Sequence, residues 1–249
     1  LVDPAGDAFT ISGLTGTYDD VNAGTGKTVT LNDSLVTTTA DAAKYAVSFP
    51  AAARADITPR PVTVSVTLSG SYLRIDDADG TYYCMYDGTE KTPAAAAVGS
   101  DAGGYSAPLA ESDYGVSYAG NRSAGRATVT VTAKAGGNYT FADATANFTI
   151  KSTAAELTST PQAKDLTYNG QAQDLVSVGT AEGGKVVYAR TETGSYSEKI
   201  PQETDAGTYT VYYMVEGDEN HDGTEPGYVS VTIRPKAIDA SAITLSPDA

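Results

Sequence analysis

Tryptophan is absent from this 249-residue sequence, cysteine and histidine occur once each, and Lys plus Arg number 16 against 31 Asp plus Glu. Each shortage removes a class of chemistry. A single cysteine, Cys84, cannot close an internal disulfide or build a thiolate metal site, so neither cystine cross-links nor structural zinc is expected to hold the chain together. A single histidine, His221, leaves no room for a histidine pair or a multi-histidine metal centre, and any triad would have to run through that one residue. The net charge of -15, with no cluster of Lys or Arg to reverse it locally, repels phosphate backbones and anionic headgroups, so neither nucleic acid nor a membrane is an expected partner. No window approaches the roughly 18 apolar residues of a membrane-spanning helix. Residues 1–10 carry neither the basic flank nor the apolar core of a signal peptide, and the chain reads as a piece of a longer polypeptide.

What is present is a repeat. Tyr86-Asp87-Gly88 is followed 38 residues later by Ala124-Gly125 and a further 14 later by Asn138-Tyr139, while Tyr168-Asn169-Gly170, Ala206-Gly207 and Asn220-His221 keep the same two spacings, a period of 82. Closing segments recur as Ala55-Asp56-Ile57, Asn147-Phe148-Thr149-Ile150 and Ser230-Val231-Thr232-Ile233. Asn22-Ala23-Gly24-Thr25 with Lys44-Tyr45 supplies the interior landmarks of a shorter first unit. These landmarks divide the chain into a short or partial module at 1–59, modules at 60–152 and 153–235, and a linker or first strand of a next module at 236–249. The joints Pro59-Arg60-Pro61 and Arg234-Pro235-Lys236 suit module ends, because proline cannot donate to a strand ladder. Acidity peaks in the third module, with five basic residues against thirteen acidic.

Within modules the periodicity is two. Val62, Val64, Val66 and Leu68 alternate with Thr63, Ser65 and Thr67; Val129 and Val131 alternate with threonines; Val229, Val231 and Ile233 repeat the pattern. Such stretches are strands with one dry face and one wet face. Asp79-Gly80, Asp87-Gly88, Gly103-Gly104, Gly136-Gly137, Asn169-Gly170, Gly183-Gly184 and Asp222-Gly223 punctuate them as tight turns in which glycine supplies positive φ. Ala51 to Ala53 and Ala94 to Ala97 are too short and too close to proline for helix, and are expected as loop or strand edge. The fold expected is all-β, a series of immunoglobulin-like β-sandwich modules in an elongated array. Asp205-Ala206-Gly207-Thr208-Tyr209 carries the tyrosine-corner pattern, while the second module has Ala127 where the tyrosine would stand.

Tyr86-Asp87-Gly88-Thr89, Asp113-Tyr114, Ala124-Gly125, Thr128 to Val131 and Gly137-Asn138-Tyr139-Thr140 resemble the immunoglobulin-like repeats of large bacterial cell-surface proteins known as YDG or MBG domains. Tyr168 to Gln173, Asp205 to Val211 and Gly217 to His221 are similar to a sister type, and Asn22 to Val29 with Asp56 to Pro59 to the latter part of a YDG unit. The resemblance implies tandem spacer modules without catalytic residues, in secreted or wall-anchored proteins.

Candidate sites are few. Asp218-Glu219-Asn220-His221-Asp222-Gly223 has the first half of a calcium-loop spacing, but Val229 stands where the bidentate Glu belongs, so a turn is expected. Arg74 to Gly80 lacks a distal acidic partner in the same way. Cys84 lies in an apolar run and reads as a buried small hydrophobe. The 17 tyrosines could form a sugar-stacking platform, yet in Tyr82-Tyr83 and Tyr212-Tyr213 one member of each pair must turn inward. Lys27, Lys91, Lys164, Asn138 and Asn147 supply the residue types of an isopeptide cross-link, with no spacing that singles out a pair. Carboxylates are spread through turns and no pair is placed for acid–base work.

These readings predict no enzyme, no catalytic or metal residues and no cofactor. They predict a non-catalytic structural or adhesive stalk segment at the cell surface, whose partners are neighbouring modules of the same polypeptide. The alternative is a module binding host glycan or protein through end loops or exposed tyrosines.

Overall fold

Threonine and valine in alternation favour extended backbone, because both are β-branched, and the apolar half of the pattern decides which face turns inward. The computed structural model describes residues 8, 10–34, 36–41, 43–239 and 241, and among them it is all-β with no α-helix. The expectation for 236–249 therefore lies outside the described residues from Ala240 onward, apart from Ser241. The chain gathers into two compact units, each drawn from several stretches: one from residues 1–70, 93–119 and 128–146, the other from 71–92, 120–127 and 147–249.

In the first unit, Thr15–Tyr18, Gly24–Asn32 and Ala52–Ile57 form an antiparallel sheet with the longest strand central. Ser106–Pro108, Ala94–Ser100 and Thr63–Ser69 form another, and Tyr114–Ala119 pairs with Gly125–Ala133 from Tyr114 opposite Ala133 to Ala119 opposite Thr128. The interior joins these last two layers: Ala97, Leu109, Tyr114 and Val131 are buried together, with Val64, Val66, Ala95, Tyr139 and Phe141 against them. Two hydroxyls tie the layers, Tyr114 donating to the Ala95 carbonyl at 3.0 Å and Tyr118 to that of Pro93 at 2.8 Å. The two alanine runs differ from each other: Ala52–Ile57 is an edge strand, paired with Gly24–Asn32, whereas Ala94 to Ala97, expected as loop or strand edge, open the central strand of their sheet, paired with Thr63–Ser69 on one side and accepting the Leu109 N–H at the Ala97 carbonyl on the other.

In the second unit, Leu166–Thr167, Gly227–Arg234, Gly207–Gly217 and Gly184–Ala189 form a four-stranded sheet. Its inner face buries Tyr188, Val211, Val231 and Ile233 against Leu175 and Val176, which follow the short strand Gln173–Asp174. Burial of this kind stabilises by about 1.5–3 kcal/mol per large side chain. The Tyr188 hydroxyl accepts the Gly179 N–H at 2.8 Å inside this core. Tyr209 donates to the Asp205 carbonyl at 2.8 Å, which is the tyrosine corner the sequence announces. Tyr213 joins the core and Tyr212 turns outward to meet Tyr228, with ring centroids 6.0 Å apart. Cys84 sits opposite Ile150 in a parallel pairing, both buried.

Six of the seven turn dipeptides contain a glycine at positive φ, but Asp222-Gly223 does not. Asp222 instead belongs to the strand His221–Asp222, held extended by parallel pairing with Thr153–Ala154.

Candidate functional site

The Ala-Gly landmark marks a strand start. Gly24, Gly125 and Gly207 are the first residues of Gly24–Asn32, Gly125–Ala133 and Gly207–Gly217. Gly24 pairs with the closing isoleucine Ile57, and Gly207 with Ile233. The alanine just before each glycine has stepped off the ladder, so its N–H needs an acceptor from elsewhere.

That acceptor is an asparagine carboxamide. Ala23 N–H donates to Asn138 Oδ1 at 2.8 Å, and Ala124 N–H donates to Asn220 Oδ1, also at 2.8 Å. The main chain of each asparagine completes the attachment. Arg60, three residues after Ile57, donates its N–H to the Asn138 carbonyl at 2.8 Å; Thr153, three after Ile150, donates to that of Asn220 at 3.2 Å. Two residues further on, Val62 donates to Thr140 O at 3.0 Å and Ala155 to Asp222 O at 2.8 Å. Both attachments thus contain a short parallel pairing, Tyr139 and Thr140 with Arg60 and Pro61, and His221 and Asp222 with Thr153 and Ala154. Val62 and Ala155 are buried as a result.

An aspartate orients each clamp. Asp113, buried, accepts the Asn138 N–H at 3.1 Å, while Asp218 accepts the Asn220 N–H at 2.8 Å and faces His221 Nδ1 at 2.7 Å. The His221 hydrogen bond, and after it the Asn220 N–H, holds the Asp218 carboxyl below its ordinary value of 3.8. The residue after each asparagine is aromatic. Tyr139 shares a 2.7 Å hydroxyl contact with Tyr105, which carries the Arg60 guanidinium on its face at 4.1 Å. His221 meets the Tyr86 ring edge to face at 5.2 Å and rests on Gly183, where a Cβ would lie 2.5 Å from the imidazole. Beside the Asn138 clamp lies an open hollow of about 320 Å³, and beside Asn220 one of about 580 Å³.

The Tyr-Asp-Gly motif has a local role. The Asp87 carboxylate accepts the Thr89 N–H and hydroxyl at 3.0 and 2.6 Å and pairs with buried Lys91 at 2.5 Å, while Gly88 takes φ 78°. Lys91 and then Thr89 hold the Asp87 carboxyl far below the usual carboxylate range. Asn169 makes the same turn onto the Gln171 N–H at 2.8 Å, with Gly170 at φ 78°.

The other sequence candidates do not converge. Lys27, Lys91 and Lys164 each pair with an aspartate, Asp20, Asp87 and Asp174. Among the described residues no three His, Cys, Asp or Glu side chains form a group able to hold a metal ion. Burial raises the pKa of the Cys84 thiol. No helix among the described residues is long and apolar enough to cross a membrane.

Residues 1–55 match the YDG domain family. That stretch contains Ala23 and Gly24, the receiving edge of the Asn138 clamp. Among solved structures, fibronectin(III)-like modules of CbhA from Clostridium thermocellum align over 74% of this chain and 100% of theirs, at 12% identity and a TM-score of 0.25. A search of the curated proteins found no match. The family match and the all-β fold are compatible with a non-catalytic structural module.

Proposed function

We propose that this chain is a non-catalytic stalk segment of a secreted bacterial surface protein, in which repeats at 1–59, 60–152 and 153–235 space a distal functional module from the cell. The observation that carries the reading is the clamp made twice with the same parts: an Ala-Gly strand start, a strand three residues past the closing isoleucine, and an Asn-aromatic pair from about one repeat further along. A side chain that accepts a main-chain N–H at a repeat joint restricts bending there, which is what a spacer requires. The distributed acidity keeps neighbouring stalks soluble and apart. Small-angle scattering tests this: a rod-like particle is expected, and a compact globular profile would contradict the spacer role.

A second reading is favoured by one observation. Tyr228 is 69% exposed on the outer face of its sheet, its ring tilted 47° to that of Tyr212 beside it, and an exposed tyrosine face of this kind can stack on a pyranose ring. A glycan array on the wild-type chain and on Tyr228→Ala decides it; binding that the substitution abolishes is the supporting result.

A further inference from the structure

The receiving edge of the clamp exists a third time, uncovered. Ala206 stands where Ala23 and Ala124 stand, one residue before a strand-opening glycine whose partner is the closing isoleucine, Ile233. Its N–H donates to none of the described residues, and whereas Ala23 and Ala124 are half-buried, Ala206 is exposed. Lys236 lies three residues past Ile233, at the place of Arg60 and Thr153, and is exposed. Ile238 lies five past it, at the place of Val62 and Ala155. Those two are 9% and 6% exposed, but Ile238 is 84% exposed. An isoleucine left this open, two residues after Lys236, whose N–H like that of Ala206 donates to none of the described residues, is a surface built for a specific cover.

We infer that Ala206, Lys236 and Ile238 form a docking edge for the Asn-aromatic hairpin of one further repeat of the same type. The occupant is fixed by the two filled copies. Its asparagine Oδ1 accepts the Ala206 N–H, its main-chain carbonyl accepts the Lys236 N–H, and the carbonyl two residues on accepts that of Ile238, whose side chain then enters the new interior. A carboxamide serves better than a carboxylate here, because the preceding segment is the most acidic of the three. The inference rests on the tandem-repeat reading and extends it to a defined surface.

The test is amide hydrogen exchange, read by NMR, on the full chain and on two extended chains. In one, a copy of residues 156–239 follows Ile238, placing a second Asn220 hairpin in register; in the other, a copy of residues 63–152 follows Ile238, bringing a second Asn138 hairpin. In the unextended chain the Ala206 amide is expected to exchange fast and the Ala124 amide slowly. In the extended chains Ala206 protection should rise on the order of tenfold toward that of Ala124. Placing Asn220→Ala or Asn138→Ala in the appended copy should remove that gain while leaving the copy's own core amides slow. An Ala206 amide already slow in the unextended chain overturns the inference, as does one that stays fast beside a folded appended copy of either kind. A rod-like scattering profile with a fast Ala206 amide in the extended chains would sink the docking edge and leave the spacer reading standing. A compact profile with a protected Ala206 would do the reverse.

Discussion

Residues 8–59 and residues 153–235 carry the same framework around different interiors. Both pair a strand-opening glycine with a closing isoleucine, Gly24 with Ile57 and Gly207 with Ile233. Yet none of the described residues in 8–59 is fully buried, while 153–235 encloses Leu175, Val176, Tyr188, Val211, Val231 and Ile233 at 3% exposure or less. The receiving edge nevertheless looks alike in both segments: the alanine before each glycine has stepped off the ladder whether the interior behind it is shallow or deep. Edge geometry is therefore set by the local sequence, an Ala-Gly start paired with a closing isoleucine, whereas stability is set by how much apolar surface lies behind it.

The largest effect expected from this contrast is in the cores. Ile233→Ala should cost about 2–5 kcal/mol in chemical denaturation, because it opens a cavity in a closed interior. Ile57→Ala, at the same register position over a half-exposed interior, should cost about 1 kcal/mol or less. Equal losses would break the contrast. Next comes Gly183→Ala, which combines a φ of 78° with a Cβ that would strike the His221 ring. We expect a loss of about 1–3 kcal/mol and a displaced His221 resonance, against a smaller loss of about 1 kcal/mol for Ala at Gly26, where φ is 61° but no atom lies in the way of the added Cβ. Tyr209→Phe removes the hydroxyl bond to Asp205 and should cost about 1 kcal/mol without disturbing residues 8–59.

The smallest effect is in pH. Asp87 and Asp218 are held below their ordinary value of 3.8 by Lys91 and His221 respectively, so the folded state binds fewer protons there than the unfolded chain. Their contribution is complete above that value and is lost as pH falls through the depressed folded values. Thermal stability should therefore decline as pH falls below about 4. Asp87→Asn should shallow the acid decline, because Asn169 already makes the equivalent turn without a charge.

Much of the framework could be read from residues alone. Alternation at Val229, Val231 and Ile233 fixes the buried face; Asp205 to Tyr209 announces the corner; Asp87-Gly88 and Asn169-Gly170 announce turns that need positive φ. Each of these signals is local, and a local signal survives in one dimension. The clamps were not legible in the same way. Asn138 read as a cross-linking candidate and Asn220 as half a calcium loop, since each asparagine's partner is a main-chain N–H that leaves no mark on residue identity. Those partners lie 115 and 96 residues away. The one sequence trace was the constant 14-residue step from Ala-Gly to Asn-aromatic, which records that both are landmarks but not that each asparagine reaches back past its own Ala-Gly to the preceding one. Asp222-Gly223 misled for a related reason: a dipeptide suited to a hairpin is drawn into an extended pairing with Thr153–Ala154.

The central claim, that one carboxamide per repeat closes the strand start of the repeat before it, is tested most directly by site-resolved exchange of the Ala23 and Ala124 amides in the wild type, Asn138→Ala and Asn220→Ala. The account predicts slow exchange of both in the wild type, acceleration of Ala23 alone by the first substitution and of Ala124 alone by the second. Amides that exchange equally fast in all three proteins, or that ignore the loss of their asparagine, would contradict it.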